Sequence, residues 1–184
     1  MIHLQAEQLG TFMGKLFSSD SFDSFLLEEA SIRTAVTWDL DGHLNRDFYT
    51  AEEWDDKAAR PWDLLPWSEV RPLCRELIKG KKAPVSFRFV LQLKPEYLEK
   101  TLHAGAKSAS DMSAAARPTA DSGTPSSLPV SALLLNIRYD GSAASILTGV
   151  SYSTFTLDKS AEALWDKTVI RFLESREISC RELE

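Results

Sequence analysis

Polar side chains that could bind a cation cluster around residues 39–47. They are Asp39, Asp41, His43, Asn45 and Asp47, each two positions after the last. Clustered carboxylates are the ligands that hard cations prefer, and a metal held there could activate a water molecule. Alternate residues of a half-exposed strand also face solvent together without any such role. The pattern therefore indicates either a metal site at Asp39, Asp41 and His43 or a solvated strand face.

A second group of charged residues follows an apolar helical stripe. Lys79, Lys81 and Lys82 form a basic run around Gly80; Arg71 precedes the run and Arg88 follows it. Guanidinium and ammonium groups bind phosphate and carboxylate groups. Cations at a helix C-terminus also stabilise the helix dipole, which would explain Lys79 without a ligand. These five residues are the predicted anion- or partner-binding patch.

Motifs of catalysis and cofactor binding are missing from the sequence. It has no Gly-x-Ser-x-Gly elbow, no His-Glu-x-x-His, no Cys-x-x-Cys and no glycine-rich nucleotide loop. We therefore expect no cofactor and favour a non-enzymatic binding or interaction domain. One alternative is a metal-assisted hydrolase that uses Asp39, Asp41 and His43. Another is a homodimer built on an exposed sheet edge or on the tryptophan-bearing region Trp54–Trp67.

Composition bounds the class of protein and its partners. The 184 residues, 43% of them apolar and 26% charged, are typical of one globular domain over residues 1–184. The net charge of −6 argues against a nucleic-acid coat, which needs a basic surface. No apolar run is long enough to span a membrane, and no leader pattern is present, so we expect a cytoplasmic protein without a membrane partner. Cys74 and Cys180 are predicted to be reduced structural thiols.

Hydrophobic periodicity predicts the elements of the first half of the chain. Leu4–Phe17 has helical spacing and Phe22–Glu29 favours a strand. Ile32–Leu40 alternates strictly, and the alternation resumes in His43–Tyr49. The intervening Asp41-Gly42 predicts a hairpin with a type I′ turn, which needs positive φ at both positions.

From Trp67 onward, the periodicity predicts three strands and three helices, which lie before and after a long loop. The predicted elements are a helix over Trp67–Lys79, a strand over Ser86–Lys94, a short helix over Pro95–Leu102, a hairpin about Asp140-Gly141 and a final helix over Lys159–Ser175. The whole predicts an α+β fold. A mostly antiparallel sheet of about five to six strands would pack against N- and C-terminal helices.

The composition changes sharply over Gly105–Pro129. These 25 residues contain six Ser, six Ala and three Pro. Such a segment buries too little apolar surface to offset its ordering entropy. It is predicted to be a flexible low-complexity loop at 105–129.

Two stretches carry a resemblance to a known family. They read FDSFLLEEASI at 22–32, continuing to DGHL at 41–44, and RP at 71–72, followed by LIKGKKAP at 77–84 and FRFV at 87–90. The chain resembles a family of small bacterial proteins catalogued as a domain of unknown function, over most of its length outside the 105–129 segment. The resemblance implies a bacterial intracellular setting, and it brings no activity, cofactor or catalytic residue.

Overall fold

Strands and helices cover most of the chain in a computed structural model, which describes residues 1–56, 58, 61–110 and 129–183, without the side chains of 103–110. The strands are β1 His3–Ala6, β2 Phe25–Arg33, β3 Thr37–Asp41, β4 Leu65–Pro66, β5 Ser86–Leu93, β6 Val130–Tyr139, β7 Ala144–Tyr152 and β8 Cys180–Glu182. The helices are α1 Leu9–Ser18, α2 Ala51–Asp55, α3 Trp67–Ile78, α4 Pro95–Ser110 and α5 Ser160–Ser175. A 3₁₀ turn spans Arg46–Phe48.

All eight strands join one antiparallel sheet. Its order is β3-β2-β5-β6-β7-β1-β8, and β4 pairs with β2 beyond the end of β3. The predicted α+β fold with a mostly antiparallel sheet is confirmed. The strand count is higher than the predicted five to six, because β1, β4 and β8 are too short to produce a periodic pattern of their own.

The two faces of the sheet differ in what covers them. One face carries Phe87, Phe89, Leu135, Ile137 and their neighbours, and it forms a single core cluster with apolar residues of α1, α3, α4 and α5. We call this the core face. The opposite face, here named the open face, contributes no residue to that cluster. Its positions include Thr37, Asp39 and Asp41 of β3, Leu26, Glu29, Ser31 and Arg33 of β2, Arg88, Val90 and Gln92 of β5, Leu134, Asn136 and Arg138 of β6, Ser145, Leu147 and Gly149 of β7, His3 and Gln5 of β1, and Arg181 of β8. Leu26 and Val90 are buried even on this face.

The N-terminal segment is a strand followed by a helix, so the predicted helix over Leu4–Phe17 was wrong in its first part. Leu4 and Ala6 are buried in β1, which pairs with both β7 and β8. Hydrogen bonding to strands that lie far away in the sequence overrides the local helical spacing. The helix itself starts at Leu9.

The first hairpin turns earlier than predicted. Its turn is Thr34–Val36, closed by a hydrogen bond from the Thr34 amide to the Val36 carbonyl oxygen, and Ile32 lies opposite Trp38. Residues that lie opposite each other across this three-residue turn are an even number of positions apart in the sequence. The alternation of inward and outward side chains therefore continues through the turn without a break, and hydrophobic periodicity cannot show where the turn lies. Asp41-Gly42 instead ends β3, and Gly42 has no positive φ.

The second hairpin forms where the sequence predicts it. β6 and β7 pair over their whole length around residues 140–143, and Gly141 has a φ of 98°. Asp140 has no positive φ, so the turn is not type I′. Its carboxylate accepts hydrogen bonds from the amides of Ala143 and Ser142, which lower its pKa to about 2.

The helix after β5 is longer than predicted. α4 starts at Pro95, as expected, but continues eight residues past Leu102 to Ser110. The first six residues of the predicted 105–129 loop are therefore helical, which the good helix formers Ala and Lys in this stretch favour. The rest of that loop, apart from Pro129, lies outside the described residues.

Both cysteines are free thiols in protected positions. Burial raises the pKa of Cys74 to about 12 and that of Cys180 to about 11. Thiols with raised pKa values are poor nucleophiles and poor metal ligands, as expected of structural cysteines. None of the helices in the described ranges is long and apolar enough to cross a membrane.

Candidate functional site

Arg71, one residue of the predicted basic patch, has an internal structural role. Its guanidinium group donates hydrogen bonds to the Ser19 carbonyl oxygen and to the Asp23 carboxylate. Its side chain is only 19% exposed. Arg71 therefore ties α3 to the segment between α1 and β2, and its charge is already paired.

Replacing Arg71 by Gln is expected to lower the free energy of unfolding by about 1.5–3 kcal/mol, since hydrogen bonds to charged groups contribute that much. Urea denaturation followed by circular dichroism measures the loss. Lys79→Gln is the matched control, with an expected change under about 0.5 kcal/mol, because Lys79 meets Glu76 at 3.6 Å in an exposed pair. Equal stabilities of the Arg71→Gln variant and the parent chain would contradict the structural role.

The other four basic residues lie in two separate places. Lys79 follows the last residue of α3, and Lys81 and Lys82 are exposed in the connection to β5. Arg88 lies on the open face, whereas α3 packs against the core face. The structure thus divides the predicted patch into three parts: Arg71 in an internal ion pair, the three lysines at the end of α3, and Arg88 on the sheet.

Arg88 has an arginine neighbour that sequence reasoning missed. Arg88 of β5 lies directly opposite Arg138 of β6. The Nε atoms of both donate to the Oδ1 atom of Asn136, at 3.1 Å from Arg88 and 3.4 Å from Arg138. Arg88 also meets Glu29 at 3.0 Å. Arg138 alternates with buried Ile137 and Tyr139, and this alternation would have marked it as facing outward.

The arginine pair belongs to a row of polar residues that crosses the whole sheet. In strand order from β3 to β8, the row is Asp39, Ser31, Arg88, Arg138, Ser145, Gln5 and Arg181. Arg181 donates from Nε and Nη2 to Gln5 Oε1, at 3.1 Å and 2.7 Å. The row is acidic at its β3 end and basic from β5 onward. It could hold an anionic group over its centre.

The predicted metal residues are only partly brought together. Asp41 Oδ1 accepts from the His43 amide at 2.9 Å and lies 2.7 Å from His43 Nδ1. The backbone hydrogen bond is the main reason why the pKa of Asp41 is lowered. Within the described ranges, no three His, Cys, Asp or Glu side chains form a group that could hold a metal ion. Asp39 therefore does not complete a ligand set with Asp41 and His43.

The tryptophans of the predicted interface region have three different environments. Trp67 is fully buried in the core. Trp54 packs against Tyr49, and Arg46 lies over its ring at 5.7 Å. Trp62 is half-buried, with the Lys94 ammonium 4.4 Å from its ring centre. It lines a groove of about 360 Å³ with Leu44, Tyr49, Glu53, Asp56, Pro61, Leu64, Leu65, Pro66 and Glu69.

Comparison with known proteins identifies a family but no function. No curated protein matches the chain. No solved structure matches it either. The model of a family described as "Family of unknown function (DUF5721)" matches residues 15–181, from within α1 to β8. The chain therefore belongs to the DUF5721 family of unknown function.

Proposed function

We propose that this chain is a non-enzymatic interaction domain that recognises an anionic group through the open face, with Arg88 and Arg138 as its contact residues. The observation that supports this proposal is that two arginines lie directly opposite each other on a sheet face outside the core cluster. Like charges in that position destabilise a sheet, and a bound anion would offset the repulsion. The proposal keeps Arg88 from the sequence-based patch and moves its centre away from Lys79–Lys82.

The hydrogen bonds around the pair support this role. Asn136 holds both guanidinium groups side by side through their Nε atoms. An arginine has five N–H donors, so Arg138 keeps the outer donors that bind a carboxylate or a phosphate in a bidentate manner. Among the described residues, Arg138 forms no ion pair, whereas Arg88 is paired with Glu29. The positive charge of Arg138 is therefore less compensated than that of Arg88, which makes Arg138 the stronger contact for an anionic ligand.

The setting proposed for this interaction is the bacterial cytoplasm, as the family resemblance implies. The proposal includes no cofactor and no bound metal. A small anionic ligand and an acidic segment of a partner protein share the same chemistry here. A titration with one probe of each kind, a small anion and an acidic peptide, distinguishes the two ligand sources.

Arg138→Gln is expected to weaken anion binding about tenfold, because it removes one charge-assisted hydrogen-bonding group and its net charge. The measurement is a titration of ¹⁵N-labelled protein with inorganic phosphate and, separately, with an oligoglutamate peptide, followed by amide chemical shifts. In the parent chain, the shifts should centre on Asn136, Arg138 and Ser145. Binding of the peptide alone would point to a protein partner.

The control is the double variant Lys81→Gln/Lys82→Gln, which removes two exposed charges from the helix end. It should leave both titrations unchanged. Shifts that centre on residues 79–85 and disappear in this double variant would return the contact surface to the helix end. Binding of neither probe to the parent chain would overturn the proposal.

A further inference from the structure

We infer that the open face also pairs with the open face of a second copy of this chain, in a two-fold dimer whose axis runs along β6. This goes beyond the recognition of an anion, although it uses the same surface. The observation behind it is that the two ends of the open face carry opposite charges, with apolar residues between them. One copy of the face can therefore complement another.

The strand order makes the two halves of the open face comparable. β6 is the middle strand of the path, with β3, β2 and β5 on one side and β7, β1 and β8 on the other. When two sheets stack face to face about a two-fold axis parallel to β6, each strand lies over its counterpart from the other side. β3 then faces β8, β2 faces β1, and β5 faces β7.

The charged residues complement each other in this arrangement. Asp39 at the β3 end of the polar row faces Arg181 at the β8 end of the same row in the second copy. In the neighbouring row, Glu29 of β2, which is paired with Arg88 of its own chain, faces the polar His3 of β1. Each contact occurs twice because the interface is symmetric, so the Asp39–Arg181 pair of opposite charges forms at both ends.

Apolar residues complement each other nearer the axis. Half-buried Leu147 of β7 faces Val90 of β5, which is only 7% exposed within its own chain, since both lie in the row of Asn136. Leu134 lies on β6 itself and faces its own copy, with Gly149 beside it. These apolar residues lie beside the polar Asn136 and Arg138 of β6, and the charged pairs lie at the two ends of the interface.

Two other symmetric arrangements of two copies are less favourable. A two-fold axis perpendicular to the strands would place β3 over β3, and pairing through the free β3 edge would do the same. Both bring Asp39 and Asp41 close to the same residues of the other copy, and like charges so placed repel. Seven strands span about 29 Å, so the open face is wide enough to approach the roughly 800 Å² per partner of a standard interface.

Arg138 makes an unfavourable contact in this arrangement. It lies on β6 and therefore meets Arg138 of the second copy across the axis. The anion of the proposed function would sit between them. Removing this charge should therefore weaken anion binding but strengthen the dimer, so the two proposals predict opposite effects of one variant.

The test is sedimentation equilibrium of the full chain over the micromolar range. The parent chain should form a reversible dimer. Asp39→Arg and Arg181→Asp should each weaken the dimer by about tenfold, because each reverses two symmetry-related pairs. The double variant Asp39→Arg/Arg181→Asp should recover the parent affinity. Lys82→Asp, an exposed reversal outside the open face, should change nothing.

A parent chain that stays monomeric would overturn the dimer while leaving the anion titrations to decide the proposed function. A double variant that dimerises no better than the single variants would also overturn it, since the dimer would then use another surface. Tighter dimerisation of Arg138→Gln, with loss of its phosphate and peptide shifts, would support both proposals. Weaker dimerisation of Arg138→Gln would contradict the position of the axis.

Discussion

Replacing Trp67 by Ala is expected to lower the free energy of unfolding by about 3–5 kcal/mol, the usual cost of deleting a buried aromatic ring. Trp67 is fully buried at the start of α3, with its ring centre 5.2 Å from that of Phe89 and 6.2 Å from that of Phe17. Its Nε1 donates to the Leu16 carbonyl oxygen at 3.2 Å. Leu16 lies in the last turn of α1, where carbonyl groups lack partners within the helix. The variant therefore loses packing and a helix-end hydrogen bond together.

Urea denaturation followed by far-ultraviolet circular dichroism measures this loss without depending on tryptophan fluorescence. Trp62→Ala is the matched control, only five positions away. Trp62 is half-buried at the groove surface, with the Lys94 ammonium over its ring, so about 1 kcal/mol or less is expected. Similar losses for the two variants would mean that Trp67 is not the core residue described. Trp67→Phe should fall between them, because it keeps most of the ring volume but loses the donor.

Gly42→Ala is the second substitution with a large expected effect, about 2–4 kcal/mol of lost stability, typical of forced overpacking against backbone. A Cβ atom at this position would overlap the Leu27 carbonyl oxygen and lie 3.2 Å from the Glu28 carbonyl oxygen. Gly42 joins β3 to the β4 region along the edge of β2: its amide donates to Glu28, and its carbonyl accepts from Leu65. The close approach coincides with the register shift of β2 between Leu27 and Glu29. Backbone cannot rotate away as a side chain can, so either β3 or β4 must separate from β2.

Gly14→Ala provides the comparison for this variant. Gly14 lies within α1, and outside its chain neighbours and the backbone of its own helix no heavy atom would come within 4 Å of a Cβ atom there. Alanine should stabilise the helix by about 0.5–1 kcal/mol relative to glycine. Thermal denaturation of both variants should therefore show melting temperatures that move in opposite directions. A Gly42→Ala variant as stable as the parent chain would show that the β2 register shift is absent or adaptable.

For the fold, local sequence patterns were sufficient to predict a helix or strand wherever the element is long and one of its faces is buried. The strands β5, β6 and β7 and the helix α5 follow from alternation or from helical spacing, and the structure agrees with them. Three-residue pairing segments such as β8 have no such pattern. They are strands only because their neighbours in the sheet offer hydrogen bonds.

For the candidate site, the sequence identified the residue types but not their grouping. Arg88 alternates with the apolar residues of β5, and so its outward direction was predictable. Its proximity to Arg138 was not, because 50 positions separate the two and only the β5–β6 register sets them opposite each other. Arg71 and Lys79 belong to one helix in the sequence, yet burial against Asp23 makes the first structural and leaves the second at the surface.

The sequence by itself determined the class of fold, the second hairpin and the family, because these depend on periodicity, on a turn glycine and on local motifs. Only the tertiary structure decided which side of the sheet the helices cover. That choice left Arg88, Arg138 and Arg181 on one open face and Asp39 at its far edge. No local sequence pattern shows which face of a sheet stays uncovered, because burial depends on every element that packs against the sheet.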